Sequence, residues 1–117
     1  MKYKVDVLEI GSNVKDMLQT GLVILFNKSA PNDLKSYCLI TQDNEKRGKV
    51  KLGDTLSMDN KTYTVTAIGE KANENLYSLG HVSLCFDGLE TAKLPGHIHL
   101  SPDFYNDITN IKTITIV

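Results

Sequence analysis

The sequence predicts an all-β fold, a small closed or nearly closed β-barrel with one or two short helices. Three observations carry that reading. Apolar residues occur in short runs or strict alternation separated by turn formers, about seven or eight such segments crowd into 117 residues, and helical periodicity is scarce. So many short strands in so small a chain must hide their edges, and closing the sheet on itself does this most completely.

Tyr3, Val5 and Val7 alternate with Lys4 and Asp6, a first strand with one wet face. Leu22-Val23-Ile24-Leu25-Phe26 is a continuous apolar run, suited to a strand covered on both sides, and Tyr37-Cys38-Leu39-Ile40-Thr41 repeats the pattern after the turn-rich Ser29 to Asp33. Thr55 to Met58 and Lys61 to Ile68 flank Asp59-Asn60, which reads as a two-residue hairpin because Asp and Asn tolerate positive φ. Val82 to Phe86, closed by Asp87-Gly88, then His97 to Leu100 and Ile111 to Val117 complete the set. Asn73 is placed to cap a short helix through Leu79, with Gly80 as its left-handed exit, and Asn13 to Leu18 and Asn32 to Tyr37 have room for one or two turns each. No repeat or linker interrupts the chain, which reads as a single domain over residues 1–117.

Lys and Arg number 13 against 14 Asp and Glu, a net charge of −1. A balance so close to neutral provides no broad positive field for a phosphate backbone or an anionic bilayer, so nucleic acid is not expected as a partner. No segment approaches the length of uninterrupted apolar chain that a membrane span requires, and membrane insertion is not expected. Two cysteines, Cys38 and Cys85, are too few for a disulfide framework, and no secretory leader precedes them. The expectation is a cytoplasmic protein with both thiols reduced and buried as small hydrophobes.

Chemistry at neutral pH points to the three histidines. His97 and His99 are two apart on one strand and share a face; a metal site would need a third or fourth convergent ligand, and the other reading is a strand end facing solvent or a polar pocket. His81 follows Gly80 at a strand start, where an imidazole can stand half exposed at a barrel rim as nucleophile or proton carrier, or else cap the preceding helix carbonyls. Asp87-Gly88 reads as a turn. Lys46-Arg47 with Lys49 and Lys51 reads as a solvated edge strand, or as a patch for an acidic partner or phosphoryl group. Phosphate loops, nucleophile elbows and zinc-protease motifs are absent.

Val65-Thr66-Ala67-Ile68-Gly69, Asn75-Leu76, Leu79-Gly80-His81-Val82-Ser83-Leu84, Phe86-Asp87-Gly88-Leu89 and Leu94-Pro95-Gly96, with Ala30-Pro31-Asn32-Asp33-Leu34 and Tyr37-Cys38 upstream, together resemble the glucitol/sorbitol-specific IIA component of the bacterial phosphotransferase system. The resemblance implies a cytoplasmic β-barrel that accepts a phosphoryl group from HPr and passes it to the IIB part of a sugar-alcohol permease, with no metal and no cofactor. It also exposes a departure. The family's phosphorylated histidine falls where this chain has Thr41, with Asp43 nearby, and an alkyl phosphate ester lacks the transfer potential of a phosphoramidate. Two readings follow: a phosphocarrier with His81 as catalytic residue beside a binding position marked by Thr41 and Asp43, or a phosphotransfer-inactive paralogue serving as a binding or regulatory module. An exposed sheet edge would also leave a homodimer open.

Overall fold

The computed structural model describes residues 1–117, and eight strands make up its frame: β1 (Tyr3–Ile10), β2 (Leu22–Asn27), β3 (Cys38–Lys46), β4 (Thr55–Met58), β5 (Lys61–Ile68), β6 (His81–Cys85), β7 (His97–Ser101) and β8 (Thr113–Ile116). They form a closed barrel in the order β1-β3-β2-β6-β7-β5-β4-β8, with β8 returning to β1 through Tyr3↔Ile116 and Val5↔Ile114. Closure leaves no strand with a wholly unpaired side, so the exposed sheet edge that would leave a homodimer open is absent.

Two of the eight pairings are parallel, β2 with β3 and β6 with β7. The apolar runs account for the first. Val23, Leu25 and Leu39 point into the main core, while Ile24 and Phe26 pack with Ala30, Cys38 and Ile40 in a second apolar cluster on the outside. A strand buried on both faces needs apolar residues at every position, the pattern of a parallel pair with its crossover laid over it. Here the crossover carries α2 (Asn32–Lys35).

The hairpin between β4 and β5 turns at Asp59-Asn60 as expected, with Asp59 at φ 53°. β3 is longer than its apolar run, because Val5, Lys4 and Tyr3 of β1 pair with Asp43, Glu45 and Lys46 beyond it. That half of β3 pairs with β1 alone, so Gln42, Asn44 and Lys46 remain exposed. Helical turns form at all three anticipated places: α1 (Val14–Leu18), α2, and α3 (Ala72–Glu74), which continues into a π-helical turn over Asn75–Leu79; a 3₁₀ turn spans Ile108–Asn110.

One local expectation is corrected. Asn73 does not cap α3; its side chain accepts from Val50 N–H at 2.8 Å and donates to Val50 C=O at 3.1 Å, tying the helix to the loop between β3 and β4. Gly80 is the left-handed exit, at φ 75°, and a Cβ there would collide with the Asn27 side chain, whose Cγ would lie at 2.6 Å. No helix is long and apolar enough to cross a membrane.

Candidate functional site

His81 opens β6 opposite Phe26 of β2, and since Val82 and Leu84 point into the core, His81 and Ser83 point outward. Its ring lies 4.7 Å from the Phe26 ring at a 40° tilt. Both rings line an outer groove of about 560 Å³ whose floor is Ile24, Phe26 and Cys38. Leu34, Tyr37 and Leu94 stand exposed on its rim, while Ser83, Asn75 and His97 contribute the polar groups. An open apolar patch around one half-buried imidazole suits contact with another protein better than enclosure of a small polar substrate.

Thr41 and Asp43 are elsewhere. Thr41 is buried, with its hydroxyl donating to the Phe26 carbonyl at 3.4 Å, and it pairs with Asn27 on β2. It borders a separate polar hollow of about 360 Å³ with Asn27, Lys28, Ser29, Gln42 and Asp43. Asn27 N–H in turn donates to Gly80 C=O at 2.9 Å, so Thr41, Asn27 and Gly80 stand in one row across β3, β2 and the residue that leads into β6. Two strand spacings put the backbones of Thr41 and His81 roughly 10 Å apart, on opposite sides of β2. The side chains open into different hollows. Asp43 holds Lys46 Nζ at 2.8 Å through one carboxylate oxygen, while the other is buried without a partner. No imidazole reaches the Thr41 hollow.

His97 and His99 share the outward face of β7, as their spacing requires, but they do not face solvent together. His99 is wholly buried; its Nδ1 lies 2.8 Å from Asp87 Oδ1 and its Nε2 accepts from Lys93 N–H at 3.1 Å. The turn at Asp87-Gly88 forms, with Gly88 at φ 66° and Asp87 Oδ1 accepting from Leu89 N–H, and the same carboxylate is what orients His99. Burial raises the Asp87 carboxyl, but the hydrogen bonds from His99 and Leu89 outweigh it and hold the group below its ordinary value. Burial, then the neighbouring His99, lowers His97. Cys85 pairs with His99 across the parallel β6–β7 register, and its Sγ lies 3.3 Å from His97 Nδ1. Burial and then the Asp87 carboxylate push the Cys85 thiol up to about 11. Residues 85 and 97 are too far apart in sequence for spacing to associate them; only the parallel pairing does.

A family profile described as PTS system glucitol/sorbitol-specific IIA component matches residues 2–115. The chain belongs to this family. The PTS system glucitol/sorbitol-specific EIIA components of Shigella flexneri and of Escherichia coli strain K12 are each 39% identical to it over 106 residues, covering 91% of this chain and 86% of theirs. The crystal structure of a PTS system IIA component from Enterococcus faecalis V583 superposes with a TM-score of 0.86 at 31% identity, covering 96% of this chain and 97% of that one. The closed-barrel expectation holds.

Proposed function

We propose that residues 1–117 form one glucitol-type IIA domain acting in the cytoplasm, which takes a phosphoryl group from HPr on His81 and hands it to the IIB part of a sugar-alcohol permease. The observation that carries this reading is the setting of His81, a half-buried imidazole in an open apolar groove with exposed Leu34, Tyr37 and Leu94 on its rim. Transfer between two proteins needs a nucleophilic ring nitrogen within reach of the partner, donors for the phosphoryl oxygens, and apolar surface that excludes water from the junction. Ser83 and Asn75 line the same groove and can donate. In the step itself, a ring nitrogen of His81 forms the new P–N bond as the bond to the donor histidine breaks. The proton lost from the other nitrogen of His81 is matched by the one the departing ring takes up. No metal or cofactor enters the scheme.

A second reading rests on Thr41. The position matching the family's acceptor holds a buried alcohol bonded to a carbonyl, in a hollow without an imidazole. On that reading the chain keeps its docking face and serves as a binding or regulatory module.

The two are separated by incubating the protein with phosphoenolpyruvate, enzyme I and HPr and measuring intact mass at alkaline pH, where phosphohistidine survives. The phosphocarrier reading expects one added phosphoryl group, lost in His81→Ala. An unmodified parent together with a Thr41→His variant that gains the mass would establish the inactive module instead.

A further inference from the structure

We propose that Cys85, His97 and His99 form a binding site for a borderline-soft divalent metal ion, with Zn²⁺ the best chemical match, on the outer wall of the barrel between β6 and β7. Nothing in the phosphotransfer reading requires such a site, and the inference stands apart from it. One thiol sulfur and two imidazole nitrogens, one from each residue, lie within 4.8 Å of one another. Tetrahedral Zn²⁺ with bonds of about 2.3 Å to sulfur and 2.0–2.1 Å to nitrogen places its ligand atoms about 3.4–3.6 Å apart. Cys85 Sγ and His97 Nδ1, at 3.3 Å, are already near that separation, and closing the set needs a shift of roughly 1 Å.

The backbone supports the arrangement on both strands. Cys85 and His99 are register partners in a parallel pair, and His97 is two residues from His99 on the same face. A third convergent ligand, the element missing from the pair of histidines in sequence, is thus supplied by the neighbouring strand. The second independent feature is Asp87. Its Oδ1 lies 2.8 Å from His99 Nδ1, which assigns the proton to Nδ1 and leaves the lone pair on Nε2, the carboxylate–histidine arrangement that orients metal-bound imidazoles. That lone pair now accepts from Lys93 N–H at 3.1 Å, so the metal takes the place of this hydrogen bond at the loop between β6 and β7 and of the contact between Cys85 Sγ and His97 Nδ1. The Cys85 thiol proton passes to solvent as the metal–sulfur bond forms. His97 is only half-buried and lines the outer groove, which gives the ion its entry path and leaves the fourth coordination position for water. Thiolate with imidazole favours zinc, or cobalt as its spectroscopic substitute, over magnesium and calcium, which prefer oxygen.

The test is a titration of chelator-treated protein with Co²⁺. The expected result is a thiolate-to-cobalt absorption band that saturates at one metal per chain and is abolished by added Zn²⁺. Cys85→Ser removes the band, whereas Cys38→Ala, which alters the other thiol, keeps it. Asp87→Asn, acting through His99, weakens Zn²⁺ binding about 10–100-fold. Should Cys85→Ser fail to fold, His97→Gln replaces a half-exposed ring and is expected to weaken Zn²⁺ at least 10-fold while the fold survives. Absence of a saturable band, its survival in Cys85→Ser, or unchanged Zn²⁺ affinity in a folded His97→Gln protein overturns the site.

Discussion

Tyr3 illustrates how a single side chain couples the barrel core to pH. It is almost wholly buried, and burial, followed by the nearby Asp43 carboxylate and Tyr77, raises its phenol well above the ordinary 10.0. Tyr63 and Tyr77 are raised as well, in both cases chiefly by burial. A phenol whose folded value is raised stays protonated in the native state while the unfolded chain ionises, so stability is full below pH 10 and falls as pH climbs past it. Tyr3→Phe removes one such group without removing its packing. Denaturant unfolding across pH 9 to 11 should show a shallower alkaline decline than the parent, with near-equal stability at pH 7; an identical decline would show that Tyr3 does not ionise on unfolding in this range. At the same scale, Thr41 and Asp43 could be picked out only through the family resemblance, since a threonine and an aspartate on a strand carry no signal of their own. Their separation from His81 depends on which side of β2 each neighbouring strand lies, and that is not a property of any residue.

At the scale of the element, short strands were legible because alternation and turn formers are local. The π-helical end of α3 and the work of Asn73 were not. An asparagine before a helical segment carries the same local signal whether it caps the helix or reaches across to another chain segment, and here two hydrogen bonds to Val50 decide the matter. Asn73→Ala leaves a part-buried amide and carbonyl without partners, a loss of about 1–3 kcal/mol. Urea unfolding measures it, and a loss below about 0.5 kcal/mol would mean water replaces the side chain at no real cost. Gly80 belongs to the same element boundary: its left-handed φ and the close Asn27 side chain together end the helix where His81 must begin β6.

For the whole molecule, the first and last strands are the seam of the barrel. β8 bridges β1 and β4, and Ile114 and Ile116 are buried in the core between them. Deleting residues 113–117 opens the sheet and exposes both partners, so the truncated chain should lose its cooperative thermal transition; a two-state transition within a few degrees of the parent would show that the barrel tolerates a gap. The seam also explains the division between what could be read early and what could not. Strand number, the doubly covered runs at Leu22–Phe26 and Cys38–Thr41, the hairpin at Asp59-Asn60 and the left-handed Gly80 are written in the sequence, because hydrophobic period and turn chemistry act over a few residues. Ring order, the two parallel pairings, the outer groove at His81 and the meeting of Cys85 with His97 and His99 were decided only in three dimensions. Each brings together residues far apart in the chain, and which strands become neighbours is settled by burying the whole apolar surface at once rather than by any local preference.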